Sequence, residues 1–161
     1  MLNRMLKRYL GVALLGGSVA LAAVAGGGAS SSGATAASAN VLKVGLSADK
    51  GELNDHGFNE LAYKGLKKAE RVLGIQGRVV EAASAADYVP NMAALARQGY
   101  DLIIGVGFAQ GDAIAAVATR FPNTHFAIID VSNAGLRGKP KNVEGLLFKE
   151  QEVGYLVGQN V

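Results

Sequence analysis

The segment from Asp49 to Glu60 concentrates the side chains of this 161-residue chain that could hold a small molecule. It combines carboxylates, amides and glycines with a single aromatic ring, that of Phe58. A purine site uses these groups: the ring stacks on the base, which is worth about 1–3 kcal/mol, and the polar groups read the base edges. The segment therefore predicts a small-molecule site with the chemistry of a purine site.

Several of these side chains could instead serve the fold alone. Asn54 or Asp55 could cap the helix predicted to follow, because both residue types accept hydrogen bonds from the first N–H groups of a helix. Phe58 could be a core residue of the first helical turn. Asp49 lies at the end of a predicted strand, where such alternatives are fewer, so it is the stronger candidate for a ligand contact.

The residue combinations that catalysis or metal binding requires are missing. Ser47 and Ser84 have no histidine placed nearby in sequence to activate a hydroxyl, and the chain has no cysteine. His56 and His125 have no second histidine or cysteine at ligand spacing. We therefore expect no enzyme activity, no metal and no cofactor.

The basic residues do not form a nucleic-acid footprint. Three of the 16 basic residues, Arg4, Lys7 and Arg8, lie in the first 39 positions, and the remaining 13 balance the 13 acidic residues. Nucleic-acid binding normally needs clustered positive charge. We expect no nucleic-acid partner.

The first 39 residues read as an export signal and a tether. A short basic region precedes an apolar run of roughly 16 residues, Leu10 to Ala25, which predicts a signal peptide over 1–25 because a membrane span needs about 20. A signal anchor is the alternative, and 23–25 and 37–39 both fit a cleavage site. Residues 26–39 are almost entirely small and polar, which is typical of a flexible tether.

Val24-Ala25-Gly26 resembles the residues before the lipidated cysteine of a bacterial lipoprotein, but Gly27 stands at the cysteine position. Without a thiol, this route cannot attach lipid. We expect an exported protein in the periplasm or at the cell surface, associated with the membrane.

From residue 40 onward, predicted strands alternate with amphipathic helices. The strands are predicted over 42–48, 78–82, 101–106, 125–131 and 143–148. The helices are predicted from about 56 to 73 with Gly74 as the stop, from a cap at Asp87 to before Gly99, from about 111 to 121, and from near Glu150 onward. This alternation predicts an α/β fold with a parallel sheet flanked by helices.

Ligands of such sheets bind at the carboxyl ends of the strands. The loops after the first, third and fourth strands should therefore carry the site. Asp112 is the weakest candidate in them, because an acid at a helix N-terminus is already accounted for by the helix dipole. The candidate ligand-binding residues are Asp49, Asn54, Asp55, Phe58, Asn59, Gly107, Phe108, Asp112 and Asp130.

Five blocks in this order resemble the basic membrane protein family, the purine-nucleoside receptor type of substrate-binding protein. The first is Asp49-x-Gly51 followed by Asn54-Asp55-x-Gly57-Phe58-Asn59-Glu60-x-Ala62-Tyr63-x-Gly65, and the others are Ala86 to Asn91, Gly99 to Phe108, Phe126 to Asp130 and Phe148 to Tyr155. The resemblance covers residues 42–161 and implies a type I periplasmic-binding fold, a nucleoside ligand and an ABC permease as partner. We expect a monomer.

The resemblance also implies roles for single residues. Phe58 would stack on the base, with Asp49, Asp55 and Asn59 as polar contacts around it, Gly107 and Phe108 as a wall, and Asp130 as a base-edge contact. Members of this family have two lobes, and residues 40–161 match only the first. We therefore expect this chain to bind nucleosides weakly or not at all by itself.

Two alternatives come from other classes. Gly105-x-Gly107-x-x-x-Gly111, with Asp130 at the end of the next strand, approximates a dinucleotide-binding fingerprint and would suit an oxidoreductase. Its spacing and its place after the third strand depart from that motif. The other alternative is an exported surface receptor or adhesin with the same fold but without a role in transport.

Overall fold

The computed structural model describes residues 41–159. The predicted signal peptide, the tether and Gly27 lie outside the described residues. Five strands form one sheet in the order β2-β1-β3-β4-β5, and every neighbouring pair is parallel. The strands are β1 (Lys43–Lys50), β2 (Gln76–Ala82), β3 (Leu102–Gly105), β4 (His125–Ile129) and β5 (Val143–Leu146). The predicted fold class is confirmed.

Four α-helices connect or follow the strands, and short 3₁₀ turns precede two of them. The helices are α1 (Phe58–Leu73), α2 (Tyr88–Arg97), α3 (Gly111–Arg120) and α4 (Glu150–Gly158). Gly74 ends α1 in the left-handed conformation with φ of 65°, and its N–H donates to the carbonyl of Glu70, as predicted. None of the helices in the described part combines the length and apolarity needed to cross a bilayer.

Two predicted helix starts need correction. The first helix begins at Phe58 rather than at about His56, because His56 has φ of 52°, which is incompatible with a helix. Asp87 does occupy the position before α2, but its side chain does not cap that helix. Its carboxylate accepts hydrogen bonds from the N–H and hydroxyl of Ser84 instead, closing the preceding 3₁₀ turn.

The sheet is covered on both faces. The helices α2 and α3 pack on one face against alternate residues of β3 and β4, including Ile103 and Phe126. On the other face α1 packs through Leu66 onto Val44 and Leu46 of β1. Leu102, Ile104 and Ile129, which belong to this second cluster, are only partly buried. Partial cover on this face, added to full burial against α2 and α3, accounts for the almost purely apolar sequences of β3 and β4. It also leaves the two ends of the sheet as the places where polar side chains can converge.

Candidate ligand-binding site

The topology brings three predicted loops to one edge of the sheet. The strands β1, β3 and β4 are adjacent, with Ser47 paired to Gly105 and Gly105 to Ile128, so their carboxyl ends lie side by side. The loops that follow them start near Asp49, Gly107 and Asp130. A Cβ atom added to Gly107 would lie 3.5 Å from Oδ2 of Asp49, which measures how closely the first two loops approach.

Asp49 is half-buried, and one of its carboxylate oxygens is fully engaged. Its Oδ1 accepts hydrogen bonds from the phenol of Tyr88 and from the N–H of Lys50, the latter at 2.6 Å. No residue of the described segment donates to Oδ2 of Asp49, which is the oxygen beside Gly107. Burial, and then the hydrogen bond to this carboxylate, raises the pKa of Tyr88 to about 12.

Asn59 braces the end of β1 from the first turn of α1. Its side chain is 2% exposed, and its Oδ1 accepts the N–H of Asp49 at 2.9 Å. Because that bond fixes the orientation of the amide, Nδ2 must point the other way. Within residues 41–159 this Nδ2 donates to no protein atom, and it lies 3.7 Å from the position of a Cβ on Gly51. Asn59 therefore offers one spare donor beside Asp49.

Asp55 caps α1, which is the structural alternative that the sequence left open. Its carboxylate accepts the N–H groups of Gly57 at 2.8 Å, Asn59 at 3.2 Å and Glu60 at 3.1 Å. The N–H of Glu60, followed by that of Gly57, holds the pKa of Asp55 below its usual value. Asn54 is exposed and caps nothing among the described residues. Its role as a ligand contact stays a prediction.

Phe58 is not a core residue, although it lies in the first turn of α1. Its side chain is 48% exposed, and its ring contacts that of Phe148 with centroids 5.9 Å apart and planes tilted by 50°. Phe148 follows β5, the last strand in the sheet order, so it also lies at the carboxyl edge of the sheet. Because the ring of Phe58 is half-exposed and is supported by a second ring, one of its faces remains available for stacking on a ligand.

A hollow of about 560 Å³ lies beside β4. It brings together three predicted residues, Phe108, Asp112 and Asp130. Phe108 is 74% exposed, and Asp130 has φ of 67°, a conformation that aspartate adopts more readily than most residues. The turn at Asp130 sends the chain off the end of β4 and along the rim of the hollow, with Val131 and Ser132 also in its lining.

Two buried residues that the sequence did not single out hold these loops in place. Gln110, with no exposed surface, donates through Nε2 to the carbonyls of Ser47 and Val106 at 2.9 and 3.0 Å, and its Oε1 accepts the hydroxyl of Ser47 at 2.9 Å. This network ties the turn after β3 to the end of β1. Tyr88 ties the start of α2 to the end of β1, because its phenol donates to Oδ1 of Asp49. Both contacts join residues far apart in sequence, so no local pattern could reveal them.

Packing and backbone conformation account for two glycines of the dinucleotide-like motif. A Cβ on Gly105 would lie 3.2 Å from Cε of Met92, a tight contact that favours glycine in the packing against α2. Gly107 has φ of 86°, which favours glycine whatever binds nearby. In the described part of the chain, no group of three His, Asp or Glu side chains could hold a metal ion.

The fold and the composition of this edge define a lobe of the periplasmic-binding type. Solved structures share it: solute-binding proteins of an ABC transporter system from Aeropyrum pernix K1 match with a TM-score of 0.66 and 36% identity, over 73% of this chain and 31% of theirs. A lipoprotein fragment from Peptoclostridium difficile 630 matches with a TM-score of 0.60 and 28% identity, over 73% of this chain and 94% of that one.

Residues 42–161 match the Bmp family, described as ABC transporter substrate-binding protein, PnrA-like, and the chain belongs to this family. A Pyrococcus furiosus lipoprotein of uncharacterised function is 32% identical over 94% of this chain and 37% of its own length. The nucleoside-binding protein BmpA of an ABC transporter in Lactococcus lactis is 33% identical over 73% of this chain and 33% of its own. The chain spans about a third of the length of the curated relatives it matches. The resemblance inferred from the sequence is confirmed.

Proposed function

We propose that this chain provides one wall of a nucleoside site in the extracytoplasmic binding protein of an ABC importer. The observation that carries the proposal is the half-exposed ring of Phe58 beside an edge that holds Asp49 and Asp130. The Lactococcus relative, which is named for nucleoside binding, supports the same ligand class. A purine fits the stacking surface best, because it offers a larger flat face than a pyrimidine.

Each group at this edge makes a different contact with the nucleoside. Phe58 stacks on the base and is supported by Phe148. The free oxygen of Asp49 accepts a hydrogen bond from the ligand, and Nδ2 of Asn59 donates one. Asp130 lines the adjoining hollow and reads a second edge of the ligand.

One wall leaves half of a ligand exposed, whereas small-molecule sites usually bury most of the ligand. We therefore propose residues 40–161 as the first of two lobes, with weak but measurable nucleoside binding by this lobe alone and a micromolar or tighter site only when a second lobe closes over it. Residues 1–25 are proposed as a signal peptide and 26–39 as a tether that keeps the protein near a membrane permease. We also propose that the binding protein is a monomer and has no catalytic activity.

Replacing Phe58 tests the stacking role. The Phe58→Ala variant should weaken inosine binding by about 5- to 150-fold, since aromatic stacking on a base is worth about 1–3 kcal/mol. The matched control is Leu73→Ala, which removes a comparably exposed apolar side chain at the far end of the same helix. Dissociation constants from NMR titrations, extended to millimolar inosine, provide the measurement. Equal affinity of the Phe58→Ala variant and the unaltered protein would contradict the proposal.

A further inference from the structure

Tyr88 is buried behind the site without being part of its surface. It is the first residue of α2 and is 2% exposed, packed with Ala82 at the end of β2 and Ala113 in the first turn of α3. Its phenol donates to Oδ1 of Asp49, 39 residues earlier in the chain. Because the ring is enclosed by three elements, the phenol cannot turn away from the carboxylate without disturbing the core.

The two oxygens of Asp49 are therefore not equivalent. The phenol and the N–H of Lys50 both donate to Oδ1, while Oδ2 is left on the side of Gly107. Gly107 has no side chain to cover that oxygen, and its positive φ makes any other residue unfavourable there. One oxygen thus anchors the side chain, and the other is presented at the edge of the sheet.

We propose that Tyr88 is a positioning residue that fixes Asp49 with Oδ2 directed to the ligand as a permanent hydrogen-bond acceptor. The inference rests on the proposed nucleoside site and specifies its chemistry. The ligand group that meets Asp49 must be a donor, a ribose hydroxyl or a base N–H, since a carbonyl or phosphate oxygen would face an acceptor of like character. A phenol is protonated, and therefore a donor, at neutral pH, and the raised pKa of Tyr88 extends that state to alkaline pH.

A double-mutant cycle separates positioning from a general structural role. Removing the phenol donor with Tyr88→Phe should weaken inosine binding about tenfold, because a hydrogen bond to a charged group is worth about 1.5–3 kcal/mol and each 1.4 kcal/mol is tenfold in affinity. In an Asp49→Ala background the same change should have less than a twofold effect, since no acceptor remains at position 49 for Tyr88 to orient. Tyr100→Phe, a buried tyrosine at the opposite edge of the sheet, is the matched control and should leave affinity unchanged.

A spectroscopic measurement tests the link without relying on the affinity of weak variants. The ¹³Cζ resonance of Tyr88 should shift when inosine binds the unaltered protein, although the ring is buried, and should not shift with inosine in Asp49→Ala, where the acceptor of the phenol is gone. Its titration midpoint should fall below about 12 in that variant, because the carboxylate contributes to the raised pKa.

The outcomes distinguish two failures. If Tyr88→Phe leaves inosine binding unchanged, or weakens it equally in both backgrounds, the positioning role is wrong. The proposed nucleoside site is not affected by that result. A protein that shows no inosine binding at millimolar concentration refutes the nucleoside site, and the positioning role with it, even where the titration of Tyr88 still reports its bond to Asp49.

Discussion

Replacing Gln110 with methionine should destabilise the protein more than any other change of similar volume at this edge. Methionine matches the length of glutamine but removes all three hydrogen bonds of the buried amide. The carbonyl of Ser47 keeps a donor, the N–H of Val106 at 3.1 Å. The hydroxyl of Ser47, in contrast, loses its acceptor, and the carbonyl of Val106 loses its donor. Two buried groups without a partner cost about 1–3 kcal/mol each, so we expect a loss of about 2–6 kcal/mol.

Urea unfolding followed by circular dichroism measures this loss as a fall in the free energy of unfolding. Adding Ser47→Ala to Gln110→Met removes one of the two stranded groups and should restore about 1 kcal/mol. The control Gln151→Met alters an exposed glutamine of α4 and should change stability by less than about 0.5 kcal/mol. A loss below about 1 kcal/mol for Gln110→Met would show that the network does not hold the turn after β3 to β1.

Two further predictions concern the room beside two glycines and the dependence of stability on pH. Gly145→Ala should destabilise the protein strongly, because the new Cβ would lie 2.2 Å from the carbonyl oxygen of Val131. Gly65→Ala should instead stabilise it by about 0.5–1 kcal/mol, because Gly65 lies in a helix with no atom within 4 Å of the new Cβ. Thermal unfolding of the two variants compares these effects. Equal melting temperatures would contradict the packing at β5. For Tyr88, the folded pKa is raised, so its contribution is complete below pH 10 and declines as the pH rises towards 12. Urea unfolding at pH 9 and pH 11 should therefore show a larger alkaline loss in the unaltered protein than in Tyr88→Phe, and identical losses would refute the shift.

The sequence was sufficient for the fold because the signals that specify it are local. Apolar runs of strand length alternate with helical periodicity, and Gly74 ends α1 as a glycine after a helix should. The order of the loops along the chain and the rule that parallel strands share a carboxyl edge also predicted that the loops starting near Asp49, Gly107 and Asp130 would lie at one edge. The helix starts were less accurate, because they depend on the conformation of single residues such as His56.

The roles of individual site residues were not fully predictable. Asp55 could be a cap or a ligand contact, and only the three N–H groups around its carboxylate show that it caps α1. The anchoring of Asp49 by Tyr88 and of the β3 turn by Gln110 depends on contacts between residues 39 and 63 positions apart. Such contacts follow from tertiary packing, which leaves no periodic trace in the sequence.

Locating the inosine contact on the protein tests the proposed site most directly. Amide and aromatic resonances of the labelled protein are followed by NMR while inosine is added to about 10 mM, a range that also captures weak binding by a single wall. We predict saturable shifts that share one dissociation constant and cluster on the ring of Phe58 and the amides of Lys50, Gly107 and Asp130. Saturable shifts confined to the opposite edge of the sheet, or no shift at any of these residues at about 10 mM, would contradict the proposed nucleoside site.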